Sequence, residues 1–92
     1  MIEARRSVTI VNRRGLHARA SAKFVAAVAA LPEGVNVTVS KAPNSAAGGS
    51  ILGLMMLGAA KGDSVEIAVS GADAEAVLAE LCGLIEAGFG ED

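Results

Sequence analysis

The stretch of sequence that decides the fold runs from residue 7 to residue 31, SVTIVNRRGLHARASAKFVAAVAAL. Its first four residues alternate polar and apolar side chains, which is the period of a half-buried strand. Residues 12–15 read as a turn, in which Gly15 permits an unusual backbone conformation. The alanine-rich segment 18–31 then spaces its larger apolar residues as a helix does. The stretch therefore predicts a strand, a turn and a helix, in that order.

The next segment predicts two further strands. Pro32 and Gly34 end the helix. Residues 35–39 alternate valine with polar residues, which indicates a second strand with one solvated face. The dipeptide 43–44 is typical of a turn, and we expect a short third strand after it.

The second half of the chain repeats the alternation of helix and strand. Ser50 and Gly58 fit the two caps of a brief apolar helix. Residues 65–70 alternate again and predict the fourth strand. A last helix begins near Asp73, and its apolar residues follow the stripe of a helix with one buried face. The members of that stripe are Leu78, Leu81, Cys82, Ile85 and Phe89.

The predicted order β-α-β-β-α-β-α defines the fold class. Clean alternation along strands favours an antiparallel sheet with one wet face and with helices packed on the other. We therefore predict a two-layer α+β domain, residues 1–92, with a four-stranded antiparallel sheet and three helices on one face.

Composition narrows the class of protein. Apolar residues make up 52% of the 92 residues, which is too many for a disordered chain. No apolar run approaches the roughly 20 residues of a membrane span, and the first residues do not resemble a signal peptide. A cytoplasmic domain without membrane insertion is the expectation. The single cysteine and single histidine argue against an internal disulfide and a Cys- or His-rich metal site.

Charge is distributed unevenly along the chain. Residues 1–46 carry seven Lys or Arg against two Glu, whereas residues 47–92 carry one Lys against eight acidic residues. Two Phe, no Tyr and no Trp leave few platforms for stacking nucleic-acid bases. We interpret the asymmetry as a basic face aimed at acidic partners or phosphate, and we expect no nucleic acid.

His17 is the strongest candidate for chemistry, because it lies between the glycine turn and the first helix. The first N–H groups of a helix have no internal partner and sit at the positive end of the helix dipole. A phosphoryl group on His17 would meet such donors, including the N–H of Ala18, and the guanidinium of Arg19. The competing interpretation is an ordinary solvated or capping histidine. Ser21 and Lys23 are expected on the helix surface, and Cys82 is expected to be an inert buried thiol.

Several segments together resemble one family. Residues 15–28, GLHARASAKFVAAV, closely resemble the active-site segment of HPr, the histidine-phosphorylated carrier of the bacterial phosphotransferase system. SILGL at 50–54, followed by LG at 57–58, resembles the family's second signature, around its regulatory serine. KGD at 61–63 and LIEAGFG at 84–90 are also similar to the family's pattern, so the resemblance spans nearly the whole chain.

Two positions depart from the family's pattern. Ala20 stands where the family usually has proline, which pre-sets the backbone of the first helical turn. Gly49 stands where the family often has lysine, directly before the serine. Alanine is a good helix former, so we expect the helix to be kept.

The resemblance implies a phosphocarrier without independent turnover. Phosphorylated enzyme I would donate its phosphoryl group to Nδ1 of His17, and IIA-type proteins would accept it. HPr kinase/phosphorylase would modify Ser50 in organisms that have that enzyme. The resemblance implies no metal and no organic cofactor, and we expect a monomer.

Residues 51–57 leave almost no polar face on the second helix. Since a short helix on a sheet buries one stripe, some of these side chains must be exposed. We predict that Ile51, Leu52 and Met55 form a docking surface beside the histidine. The alternatives are an oligomer contact or packing under a loop.

Three other functions compete with a carrier in sugar uptake. The chain could be a mainly regulatory protein whose His17 and Ser50 phosphorylation states control binding to other proteins, as in a nitrogen-type branch. It could also be a ligand-binding or assembly module in which His17 is dispensable. An independent hydrolase fits poorly, because the sequence has no second histidine.

Overall fold

The computed structural model describes residues 3–91 and confirms the predicted order of elements. The strands are β1 (Glu3–Thr9), β2 (Asn36–Lys41), β3 (Asn44–Ala47) and β4 (Ser64–Ser70). The helices are α1 (Ala18–Ala29), α2 (Ile51–Met56) and α3 (Ala74–Glu86). A short 3-10 segment at Gly88–Gly90 follows, which we term the C-terminal turn.

The sheet has the order β1-β4-β2-β3, and every neighbouring pair is antiparallel. Val8 faces Val65 across β1 and β4, and Val39 faces Ile67 across β2 and β4. These four side chains are buried, whereas the alternate Glu66 is exposed to solvent. The period of two in the sequence therefore sets which face of the sheet is dry.

The three helices cover the dry face. Phe24 of α1, Leu54 of α2 and Leu81 of α3 belong to one buried cluster that also includes Ile67 of the sheet. This arrangement confirms the two-layer α+β prediction. Within residues 3–91, no helix is long and apolar enough to cross a membrane.

The last helix is shorter than its apolar stripe predicted. Helix α3 ends at Glu86, and Phe89 lies in the C-terminal turn rather than on the helix. The reason is Gly88, whose φ of 64° takes the backbone out of the right-handed helical region. Phe89 still reaches the core from the turn, and its side chain is buried.

The prediction for Ser21 was wrong. Its side chain is completely buried on α1, whereas Lys23 is exposed as expected. The Ser21 hydroxyl donates to the carbonyl oxygen of Leu16 at 3.1 Å. Because that bond satisfies the hydroxyl, a polar side chain is tolerated inside the core. Cys82 is buried as predicted, and burial raises the pKa of its thiol.

Candidate functional site

His17 occupies the N-cap position of α1. Its backbone is extended, with φ −74° and ψ −180°, and its Nδ1 accepts a hydrogen bond from the Arg19 N–H at 3.3 Å. Its carbonyl oxygen accepts from the Ser21 N–H at 2.9 Å, which closes the first helical turn. Only 16% of the His17 side chain is exposed. The ring is thus held at the positive end of the helix, with Nδ1 toward the first N–H groups.

The loop before His17 is pinned by a close backbone approach. Gly15 has a φ of +62°, and a Cβ at this position would lie 2.3 Å from the carbonyl oxygen of Ala59. That same carbonyl oxygen accepts from the Leu16 N–H at 3.0 Å. Glycine is required here on both counts, since a side chain would meet strain and a backbone clash.

The other ring nitrogen of His17 meets a carboxylate from the far end of the chain. His17 Nε2 lies 2.8 Å from Glu91 Oε1, and Asn12 Nδ2 donates to the same oxygen at 2.9 Å. Asn12 Nδ2 also donates to the Gly15 carbonyl oxygen at 2.8 Å. The Asn12 side chain therefore links the loop before His17 to the Glu91 carboxylate. The bonds from His17 and Asn12 hold the pKa of Glu91 below its ordinary value of 4.5.

The C-terminal turn positions Glu91 beside the His17 ring. Its three residues, Gly88, Phe89 and Gly90, have φ values of 64°, 57° and 74°. Phe89 is a bulky residue in the left-handed region, which is rare and costly. Lys23 of α1 donates from Nζ to the Phe89 carbonyl oxygen at 2.7 Å and ties the turn to the helix that carries His17.

A basic cleft of about 200 Å³ lies beside the histidine. It is lined by Arg13, Arg14 and Arg19, together with Glu91. The volume exceeds that of several water molecules, so a small oxyanion fits within it. Three guanidinium groups make the cleft attractive to phosphate oxygens.

Ser50 forms a second N-cap, at the start of α2. Its Oγ accepts from the Gly53 N–H at 3.0 Å. The predicted set of Ile51, Leu52 and Met55 is exposed by 41%, 68% and 42%, and Met56, which that set omitted, is exposed by 75%. Helix α2 packs against α1 and β3. The docking role of these residues stays a prediction.

The structure groups the predicted residues into two sites. His17, Ala18 and Arg19 lie together at the start of α1, while Ser50 and the apolar set lie on α2. Sequence reasoning missed Asn12 and Glu91. Glu91 is 74 positions from the histidine, and no local pattern marks it out.

Comparison with known proteins identifies the family. Residues 4–87 match the family model described as the PTS HPr component phosphorylation site. The chain belongs to the HPr family. The phosphocarrier protein HPr of Neisseria meningitidis serogroup A is 44% identical over 87 residues, covering 95% of this chain and 96% of the relative.

Other HPr-family proteins give the same result. The phosphocarrier protein NPr of Shewanella violacea is 37% identical over 91 residues, covering 99% of this chain and 98% of that protein. The crystal structure of HPr-C-His from Thermoanaerobacter tengcongensis has a TM-score of 0.86 and 35% identity, covering 100% of this chain and 99% of the other. The family resemblance drawn from the sequence is therefore confirmed, and the family assigns the chain a phosphocarrier role in the phosphotransferase system.

Proposed function

We propose that this chain is a cytoplasmic, monomeric phosphocarrier that accepts a phosphoryl group on Nδ1 of His17 from phosphorylated enzyme I. IIA-type proteins then take the group from His17. The observation that carries the proposal is the position of Nδ1, which faces the first N–H groups of α1 at 3.3 Å from the Arg19 nitrogen. A family model for a phosphorylation site covers the same residues.

The chemistry follows from that position. A phosphoryl group on Nδ1 would displace the long hydrogen bond from Arg19 and receive backbone N–H donors in its place. The side chains of Arg13, Arg14 and Arg19 would contribute charge-assisted contacts to its oxygens. Contacts of about 0.3–2 kcal/mol each stabilise a phosphohistidine without trapping it. The chain supplies the nucleophile, and each partner completes the reaction.

The decisive test is incorporation of acid-labile phosphate from phosphoenolpyruvate in the presence of enzyme I. We expect wild-type protein to label and His17→Ala to lose labelling entirely, because the sequence has no second histidine. Ser50→Ala is the matched control, since it removes the other capping side chain, and it should label like the wild type. Labelling of a folded His17→Ala variant would contradict the proposal.

Helix α2 supports a second part of the proposal. Its exposed residues Ile51, Leu52 and Met55 form the docking surface for partner proteins, and Ser50 stands at the edge of that surface. Phosphorylation of Ser50 by HPr kinase/phosphorylase would add about −1.5 to −2 charges there and weaken docking of acidic partners. The regulatory alternative, in which these modifications control other proteins, depends on the same two sites.

A further inference from the structure

We propose that Glu91 is a positioning residue that holds the His17 imidazole with its proton on Nε2, so that Nδ1 carries the lone pair that takes the phosphoryl group. This inference rests on the proposed function. It adds a residue from the far end of the chain to the transfer site and assigns it control over which ring nitrogen reacts.

The hydrogen bonds at the two ring nitrogens determine the tautomer. An ionised carboxylate can only accept, so Nε2 must donate to Glu91 Oε1 across 2.8 Å. A backbone N–H can only donate, so Nδ1 must accept from Arg19. A neutral ring that donates from Nε2 and accepts at Nδ1 satisfies both contacts.

Glu91 is itself held from several sides. Asn12 Nδ2 donates to the same carboxylate oxygen, and Asn12 is completely buried. Its Nδ2 also donates to the Gly15 carbonyl oxygen, so Asn12 links the carboxylate to the loop before His17. The left-handed Phe89 and the bond from Lys23 to its carbonyl oxygen fix the turn that carries Glu91. The strained backbone of Phe89 and the two hydrogen bonds from Asn12 together fix the position of one carboxylate.

Among residues 3–91, the charged side chains that share the cleft with this carboxylate are positive. Lys23 lies close enough to favour the ionised form of Glu91, and Arg13, Arg14 and Arg19 share its cleft. The lowered pKa of Glu91 keeps its carboxyl group ionised, and therefore an acceptor, to lower pH than an ordinary glutamate.

The Nε2 atom keeps its proton throughout the transfer of the phosphoryl group. The lone pair of Nδ1 forms the new N–P bond, and the bond from phosphorus to the donor breaks with its electron pair leaving on the donor atom. The ring gains positive charge as the bond forms. The Nε2–H donates to Glu91 throughout, and the carboxylate offsets that charge.

The test measures regiochemistry with phosphoramidate, a small phosphoryl donor that needs no docking surface. Phosphorus NMR distinguishes the two phosphohistidine isomers. We expect wild-type protein to form the Nδ1 isomer alone and Glu91→Ala to form a mixture that includes the Nε2 isomer. Glu91→Gln keeps an acceptor oxygen and should retain the Nδ1 isomer. Glu80→Gln, an exposed glutamate on α3, is the control and should match the wild type.

The second measurement is the rate of transfer from phosphorylated enzyme I. Loss of one charged hydrogen bond should slow Glu91→Ala by about tenfold, with Glu91→Gln in between. Glu91→Ala that forms only the Nδ1 isomer at the wild-type rate would overturn the inference. Wild-type protein that ignores enzyme I, but whose isomer ratio with phosphoramidate depends on Glu91, would overturn the proposed function and leave the positioning role standing.

Discussion

The helix starts at His17 and Ser50 use the same capping device in opposite surroundings. Each cap side chain accepts a hydrogen bond from a nearby backbone N–H, at 3.3 Å for His17 and 3.0 Å for Ser50. Three arginines and Glu91 line the cleft beside His17, whereas four exposed apolar side chains follow Ser50 on α2. The two caps therefore share their geometry and differ in the side chains around them, which are charged at His17 and apolar at Ser50.

The two regions also differ in how far apart in the sequence their residues lie. The Ser50 cap and its apolar neighbours come from one short segment, residues 50–56. The His17 site combines the loop at Asn12, the start of α1 and Glu91. The Ser50 cap should therefore respond mainly to substitutions within residues 50–56. The His17 site should respond to substitutions in any of its three segments.

The largest effect in this comparison is a loss of stability expected from a substitution at Gly15, in the loop before the His17 cap. Gly15→Ala would force an alanine to a φ of +62° and place its Cβ 2.3 Å from the Ala59 carbonyl oxygen. We expect a loss of about 2–4 kcal/mol in the free energy of unfolding. Chemical denaturation followed by circular dichroism measures this loss.

Gly49→Ala is the matched control for that prediction. Nothing lies within 4 Å of a Cβ built at Gly49, so the change should stay within about 0.5 kcal/mol. Equal losses at the two glycines would show that the Gly15 contact does not constrain the loop before His17.

An intermediate effect is expected from a charge at the second cap. Ser50→Asp should keep the fold, because aspartate caps helices and suits the positive helix end. It should slow labelling by enzyme I about tenfold, since a negative charge beside the proposed docking surface would repel acidic partners.

The Ser50→Ala variant distinguishes the effect of the added charge from the effect of losing the helix cap, because it removes the cap without adding a charge. It should cost about 1 kcal/mol of stability and leave labelling unchanged. A Ser50→Asp variant that unfolds, judged by circular dichroism, would refute the first half of the prediction, and one that labels at the wild-type rate would refute the second.

The smallest effect is a shift in the titration of Glu91. His17→Ala removes the first of the bonds that depress its pKa, so the pKa should rise toward the ordinary value of 4.5. Carbon NMR of the side-chain carboxyl group measures it. Asp63, whose pKa is lowered by the Ala60 N–H, is the internal control and should not move.

The same shift predicts a change in acid stability. A carboxyl group with a depressed pKa in the folded state stabilises the fold above its unfolded pKa, and that contribution is lost as pH falls through the lower folded pKa. His17→Ala should therefore lose less stability than wild type between about pH 4.5 and the folded pKa of Glu91. An unchanged acid profile would show that the His17 contact contributes nothing to the ionised carboxylate.

The sequence predicted the fold well, because the physical signals of strands and helices are local. Alternating side chains located β2 and β4, and Ser50 was correctly placed as a cap. The strand bounds were less accurate: β1 begins at Glu3, since its pairing with β4 extends beyond the alternating residues.

The site was predicted only where it is local. His17 and Arg19 stand in one short segment, so their positions followed from the helix start. Glu91 could not be found this way, because its placement depends on three successive positive φ angles at Gly88–Gly90 and on packing of Phe89 into the core. Ser21 was misplaced for a similar reason, since its partner is a carbonyl group in the preceding loop.

The pairing of β1 with β4 has a consequence for biosynthesis. A ribosome releases the N-terminal segment first, yet Thr9 at the end of β1 finds its partner Ser64 only after most of the chain has been made. Glu91 emerges later still, 74 residues after the histidine. A nascent chain that has not yet reached Glu91 therefore carries His17 without the carboxylate that contacts its Nε2 atom.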